Sequence, residues 1–205
     1  MRKLGIGLLT ILCVGVALYA AHYWLPIDII PGAGGLVNNM GASWLALHAG
    51  TGSLALVLGP FQFSNLFRQR APALHRSAGV IYILACLISG IAGLLLAAGS
   101  VFGPVAQAGF AGLGLLWIAF VILGWRSALQ RRFAHHRRWM WRSYALTFAA
   151  VTLRLQLAIL PLTGAEFETF YPIIAWTCWV PNLIATEFHL RARRETISTD
   201  GASAG

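Results

Sequence analysis

The chain has 205 residues, of which 58% are hydrophobic and only 10% charged. Soluble domains carry about 25% charged residues, so water is not the main solvent of this surface. The formal net charge of +9 lies in short basic clusters between long uncharged runs, which is how membrane proteins set orientation and not how a nucleic-acid-binding face is built.

A helix needs about 20 apolar residues to cross the hydrocarbon core, and six runs meet or approach that length. The first extends from Leu4 to about Trp24, behind Arg2 and Lys3. Small residues such as Ala17, Ala20 and Ala21 resemble a leader-cleavage region, but the apolar core is long for a leader, so a retained helix is expected. A linker from Leu25 to Ala42 follows, with Pro26, Pro31 and the stretch Gly32-Ala33-Gly34-Gly35, all helix-breaking.

The second run is about Ser43–Phe63, closed by a loop with Arg68, Arg70, His75 and Arg76. The third is about Ser77–Ala98, and an uncharged turn leads to the fourth, about Val105–Trp125. The most basic loop then carries Arg126, Arg131, Arg132, His135, His136, Arg137, Arg138 and Arg142. The fifth run is about Ser143–Leu162, and a turn with Glu166 and Glu168 precedes the sixth, about Phe170–Leu190. The tail opens with Arg191, Arg193 and Arg194, then becomes small and polar, the composition of a disordered segment.

Of the 15 Lys and Arg, all but Arg154 fall at the amino terminus, in the two basic loops or in the tail. In a six-crossing bundle those four segments share one face, which the positive-inside rule makes cytoplasmic. Trp24, Trp44, Trp125, Trp139 and Trp141 fall near run ends, as interfacial belts require. The expectation is an all-α membrane protein of six transmembrane helices with both termini cytoplasmic. Residues 1–190 form one domain, with 43–190 as its core and 191–205 as a tail. The cytoplasmic (inner) membrane is the expected location and the lipid bilayer the expected partner.

Ionisable groups inside a membrane are costly and therefore functional candidates. His48 lies about 8 Å from the outer end of helix two and Arg154 about 12 Å from the outer end of helix five, so the two can meet. The functional reading is a polar site for an anionic or quinone-like ligand; the structural one is an arginine that snorkels or binds backbone carbonyls. Glu187 sits near the inner end of helix six, too far in depth to be the partner of Arg154. His48, Gly52, Ala55, Gly59 and Gln62 share one face of helix two by their 4-3-4-3 spacing, a stripe that serves close helix packing or a flat ligand. His136, Ser143, Thr147, Ala150 and Arg154 share a face of helix five if that helix begins by residue 136. Pro60 is expected to loosen helix two. In helix six Pro181 frees a carbonyl, and Asn182 serves as glue between helices or as a ligand contact.

At the cytoplasmic end, His75 and His136 each lie in the pattern Arg-x-x-x-x-His-Arg, from Arg70 and from Arg131. Two histidines on facing helices can ligate a b-type haem, with Arg76 and Arg142 available to its propionates. Chance His-Arg pairs in basic loops are the competing reading. Cys13, Cys86 and Cys178 lie inside apolar runs without pairing motifs and act as small hydrophobes; no zinc site or disulfide framework is readable. Phosphate-binding loops, nucleophile elbows and HExxH are absent, which leaves enzymatic activity undecided. Transport or a scaffold role is the alternative to cofactor binding.

Four segments also carry a resemblance: His48–Phe63 ending LGPFQF, LHRSAGVIY at 74–82, HRRWMWRSYALTFAAVTLR at 136–154, and WTCWVPNLIATE at 176–187. Together they resemble the bacterial membrane family called domain of unknown function 2306, over roughly 43 to 190. The resemblance implies a polytopic membrane protein and lends no chemistry. Its recurring polar positions correspond to His48, Gln62, His75, Arg76, His136, Arg142, Arg154, Asn182 and Glu187.

Overall fold

The computed structural model describes residues 2–20 and 41–202, with the side chains of 10–20 and 43–192. Trp24 and the predicted linker as far as residue 40 lie outside the described residues. Every described element is helical: α1 (Arg2–Ala20), α2 (Gly41–Gln62), α3 (Asn65–Arg70), α4 (Pro72–Ala98), α5 (Gly103–Leu129), α6 (Phe133–Thr147), α7 (Ala149–Ile159), a 3-10 turn (Leu160–Thr163), α8 (Phe167–Thr177) and α9 (Val180–Ala202).

Within the described residues, four helices are long and apolar enough to cross a membrane: Ser43–Gln62, Pro72–Ala98, Gly103–Leu129, and Phe133–Thr163 taken across Phe148. The other two predicted runs meet the length criterion less well. The described apolar part of the first covers Thr10–Ala20, and the sixth is divided at Cys178–Trp179 into α8 and α9.

The helices pack in a ring. α2 lies against α4, α4 against α5, α5 against α6, and α6 returns to α2. α1 leans on α2 and α7, α8 covers α5, and α9 covers α6. The loops after α2 and after α5 therefore share one end, which holds Arg68, Arg70, Arg131 and Arg132; we call it the basic end. On α4 the periodicity separates two faces. Ile81, Leu84, Ile88 and Ile91 are exposed, at the 3-4-3 spacing of a lipid-facing stripe. His75, Gly79, Tyr82, Cys86, Ser89 and Gly93 form the opposite stripe, which faces the ring. Tyr82, Cys86 and Ser89 are buried there.

Two prolines show how the sequence holds its helices together. Pro60 has no N–H, so the Leu56 carbonyl one turn back loses its intrahelical donor. The Tyr144 hydroxyl of α6 donates to that carbonyl instead, at 3.3 Å. α2 runs through Pro60 to Gln62, so the expected loosening falls only on its last residues. Pro181 likewise deprives the Thr177 carbonyl, and the Gln156 amide of α7 supplies the donor at 3.1 Å. Thr152 and Asn182 both donate to the next carbonyl, Cys178, the latter at 3.0 Å. The predicted continuous sixth helix thus breaks where proline removes a donor, and α7 fills the break.

Candidate functional site

Polar side chains inside the ring gather at three levels. Nearest the far end, the His48 ring donates from Nδ1 to the Ser89 carbonyl at 2.9 Å. Ser89 Oγ in turn donates to the His48 carbonyl at 2.9 Å. This reciprocal pair locks α2 to α4, and a Cβ at Gly52 would stand only 3.0 Å from Ser89 Oγ, so glycine is what lets the two helices approach. With Nδ1 committed, Nε2 is the atom His48 can offer to a ligand.

The middle level is fully buried. The Tyr82 hydroxyl of α4 lies 3.0 Å from both Ser143 Oγ and Thr147 Oγ1 of α6. Trp117 Nε1 of α5 donates to Thr147 Oγ1 at 3.0 Å. Thr147 places its own proton on the Ser143 carbonyl at 3.0 Å. Tyr82 therefore donates to Thr147 and accepts from Ser143, and every donor in the group has an acceptor, as burial requires.

The third level lies towards the basic end. His136 Nδ1 donates to the Gly124 carbonyl at 2.9 Å. His75 comes within electrostatic reach of His136, Arg68 and Arg76. A Cβ at Gly79 would meet Gln62 Oε1 at 3.3 Å, so the Gln62 amide lies against α4 between His75 and Tyr82. Among the described residues, His75 Nδ1 and Gln62 Nε2 are buried without a hydrogen-bond partner.

A cavity of about 620 Å³ opens beside the first two levels. His48, Ser89, Trp117, Thr147 and Arg154 line it, with Gly52, Gly90, Gly93 and Gly114 giving flat walls. Tyr19 and Gly15 of α1 close one side, and Phe102 and Tyr171 lie towards the far end. The Phe102 and Tyr171 rings pack with centroids 4.3 Å apart. His48 and Arg154 both line this cavity and a small one next to it, and His48 is within electrostatic reach of Arg154. The guanidinium donates to the Ala150 carbonyl at 3.0 Å and stands 5.9 Å from the centre of the Tyr19 ring, inside cation–π range.

The remaining predicted site residues separate. Arg142 forms a two-pronged ion pair with Glu187, at 2.5 and 2.9 Å, and stacks 4.7 Å from the Trp139 ring. That guanidinium joins α6 to α9 and is not available to a haem propionate. Arg76 is exposed on α4. Asn182 donates to Thr152 Oγ1 and to the Ala145 and Cys178 carbonyls, the glue role. A haem between His75 and His136 would need both Nε2 atoms aimed into a flat slot. His136 is suitably held through Nδ1, but the His75 ring packs edge-on to Phe67 at 6.4 Å, and neither histidine lines either cavity.

Tyr82, Ser89, Trp117 and Tyr19 were not singled out from the sequence. The first two share the 4-3 spacing of His75, Gly79, Cys86 and Gly93, the same signal that marked helix two, so the stripe on α4 was available to the same reasoning.

A helical bundle with apolar outer faces and a polar interior defines an integral membrane protein. The family described as predicted membrane protein (DUF2306) matches residues 45–190, and the chain belongs to that family. No curated protein and no solved structure matches the chain.

Proposed function

We propose that the bundle binds a small lipid-soluble molecule with a quinone-like or anionic head, held between His48 and Arg154, in a redox or cofactor-binding role. The cavity of about 620 Å³ around those two side chains carries this reading. Ligand pockets run about 300–1,000 Å³, with apolar walls and few polar groups. Here the polar groups include a cation, one imidazole nitrogen and the hydroxyls of Ser89 and Thr147, suited to carbonyl or carboxylate oxygens.

Titration of the purified protein with ubiquinone-1, and separately with the fluorescent fatty acid cis-parinarate, tests the reading. Binding of either probe is expected to weaken at least about ten-fold in Arg154→Leu. A lost charged hydrogen bond costs about 1.5–3 kcal/mol, and about 1.4 kcal/mol is ten-fold. Binding of neither probe, or binding indifferent to both Arg154→Leu and His48→Phe, overturns it. The visible spectrum of the same preparation tests the second reading, which rests on the Nδ1 anchor of His136. A Soret band lost in both His75→Ala and His136→Ala would move the site to the basic end.

We further propose six crossings in the bacterial inner membrane, with the basic end and both termini cytoplasmic. The support is the clustering of 14 of the 15 Lys and Arg. A cysteine replacing Glu166 should react with an impermeant thiol reagent from outside intact cells, and one replacing Arg131 should not. The opposite labelling pattern would invert the orientation.

A further inference from the structure

Three inward stripes, one each on α2, α4 and α6, place polar groups at intervals along the whole ring. Ordered from the basic end, these are His75 with Gln62, then Ser143, Tyr82 and Thr147 with Trp117, then Ser89 and His48 beside Arg154. Membrane interiors are expected to hold polar groups only where they pair or conduct. The hydroxyls of the middle group reach the cavity through Thr147.

We propose that this column is a proton pathway between the basic end and the cavity. The inference shares the cavity with the ligand reading but needs no ligand. Hydroxyl groups can each accept one proton while donating another, and histidine exchanges protons near neutral pH. A proton taken up by the His75 ring at one nitrogen is matched by release from the other. It crosses towards the Ser143–Tyr82 pair by water held at the Gln62 amide. His75 and Tyr82 are seven residues apart on α4, about 10 Å along the axis. Gln62 lies against Gly79 in that interval.

Two buried atoms there, His75 Nδ1 and Gln62 Nε2, have hydrogen-bonding capacity that no described residue meets. A water needs two to four such polar neighbours. Ser143 takes the incoming proton and passes its own to Tyr82, Tyr82 passes its own to Thr147, and Thr147, turning from the Ser143 carbonyl, hands its own to water in the cavity beside Ser89 and His48. Each oxygen ends neutral, no electron moves, and the hydroxyls reset by turning. Other titratable groups face the path: Cys86 beside Tyr82, His136, Arg68 and Arg76 around His75, and Arg154 at the cavity. The arginines are not steps of the path.

The test uses the full chain reconstituted in lipid vesicles that contain a trapped pH-sensitive dye. A potassium gradient with valinomycin drives the protons. Wild-type protein should carry protons several-fold faster than protein-free vesicles. Tyr82→Phe and Ser143→Ala should fall to near the protein-free rate, while Leu84→Ala on the lipid face should not. Each variant is first checked for monodisperse elution in detergent, and Ser143→Ala serves where Tyr82→Phe does not fold. A wild-type rate equal to protein-free vesicles overturns the proposal. So does a flux that survives both hydroxyl removals, which would leave the group as helix glue. Wild-type protein that binds either probe yet carries no protons would refute the pathway and leave the ligand reading standing.

Discussion

Replacing Gly59 with alanine should destabilise the bundle by about 1–3 kcal/mol, the usual cost of overpacking a filled interior. Gly15→Ala should do the reverse, raising stability by up to about 1 kcal/mol. In a helix interior, alanine is favoured over glycine by roughly 0.5–1 kcal/mol because it fixes less backbone freedom on folding. That benefit survives only where the methyl has room. At Gly15 a Cβ meets nothing within 4 Å. At Gly59 it would fall inside the van der Waals surface of the Tyr144 ring.

The ring cannot simply move aside. Its hydroxyl is held between the Leu56 carbonyl at 3.3 Å and the Cys13 thiol at 3.2 Å, and its face packs on Phe63 at 5.5 Å. Displacing it would also strip the donor from the carbonyl that Pro60 leaves open. Thermal unfolding in detergent, followed by tryptophan fluorescence, reads both signs in one experiment. Equal effects at the two glycines would show that α2 and α6 do not approach this closely.

Much of this arrangement was legible in the chain because it rests on period and cost. The 4-3-4-3 stripe from His48 to Gln62 named the inward face of α2, which meets α4 at His48, Gly52 and Gln62 and α6 at Gly59. The stripe from His136 to Arg154 named the inward face of α6 and α7, and α6 does begin before His136. The depth argument correctly separated Glu187 from Arg154. It could not supply the actual partner, Arg142, because that contact depends on which helix α9 covers.

The break at Cys178–Trp179 was hidden for a similar reason. Pro181 announces a missing donor, but whether the helix kinks, continues or splits depends on Gln156, Thr152 and Asn182 arriving from outside its own turn. The middle polar group was missed because Tyr82 and Trp117 read as aromatic core. Only their hydroxyl and indole N–H, placed against Ser143 and Thr147, make them polar. Cavity volume is the least legible property of all, since it is what remains after every helix has taken its place.

His48 and Arg154 give the second large expected effect. Arg154→Leu should lower stability in detergent by about 1.5–3 kcal/mol, the contribution of a hydrogen bond made by a charged group. The groups affected are the Ala150 carbonyl and the Tyr19 ring face. His48→Phe should cost a similar amount, because Ser89 then loses the imidazole that its carbonyl accepts from, at 2.9 Å. The two losses should not add. Both side chains border the same cavity, and each sets the solvation and field felt by the other. Residues coupled in this way show interaction energies of about 0.5–3 kcal/mol, while independent sites add within about 0.3–0.5 kcal/mol. The double variant is therefore expected to cost less than the sum of the singles. Its shortfall should grow when ubiquinone-1 or cis-parinarate is present, since a ligand touching both heads links them directly. A snorkelling arginine would behave differently: its removal would cost little, and His48→Phe would add to it without interaction. Additivity in both the presence and the absence of the probes would reduce the pair to two unrelated side chains that happen to border one space.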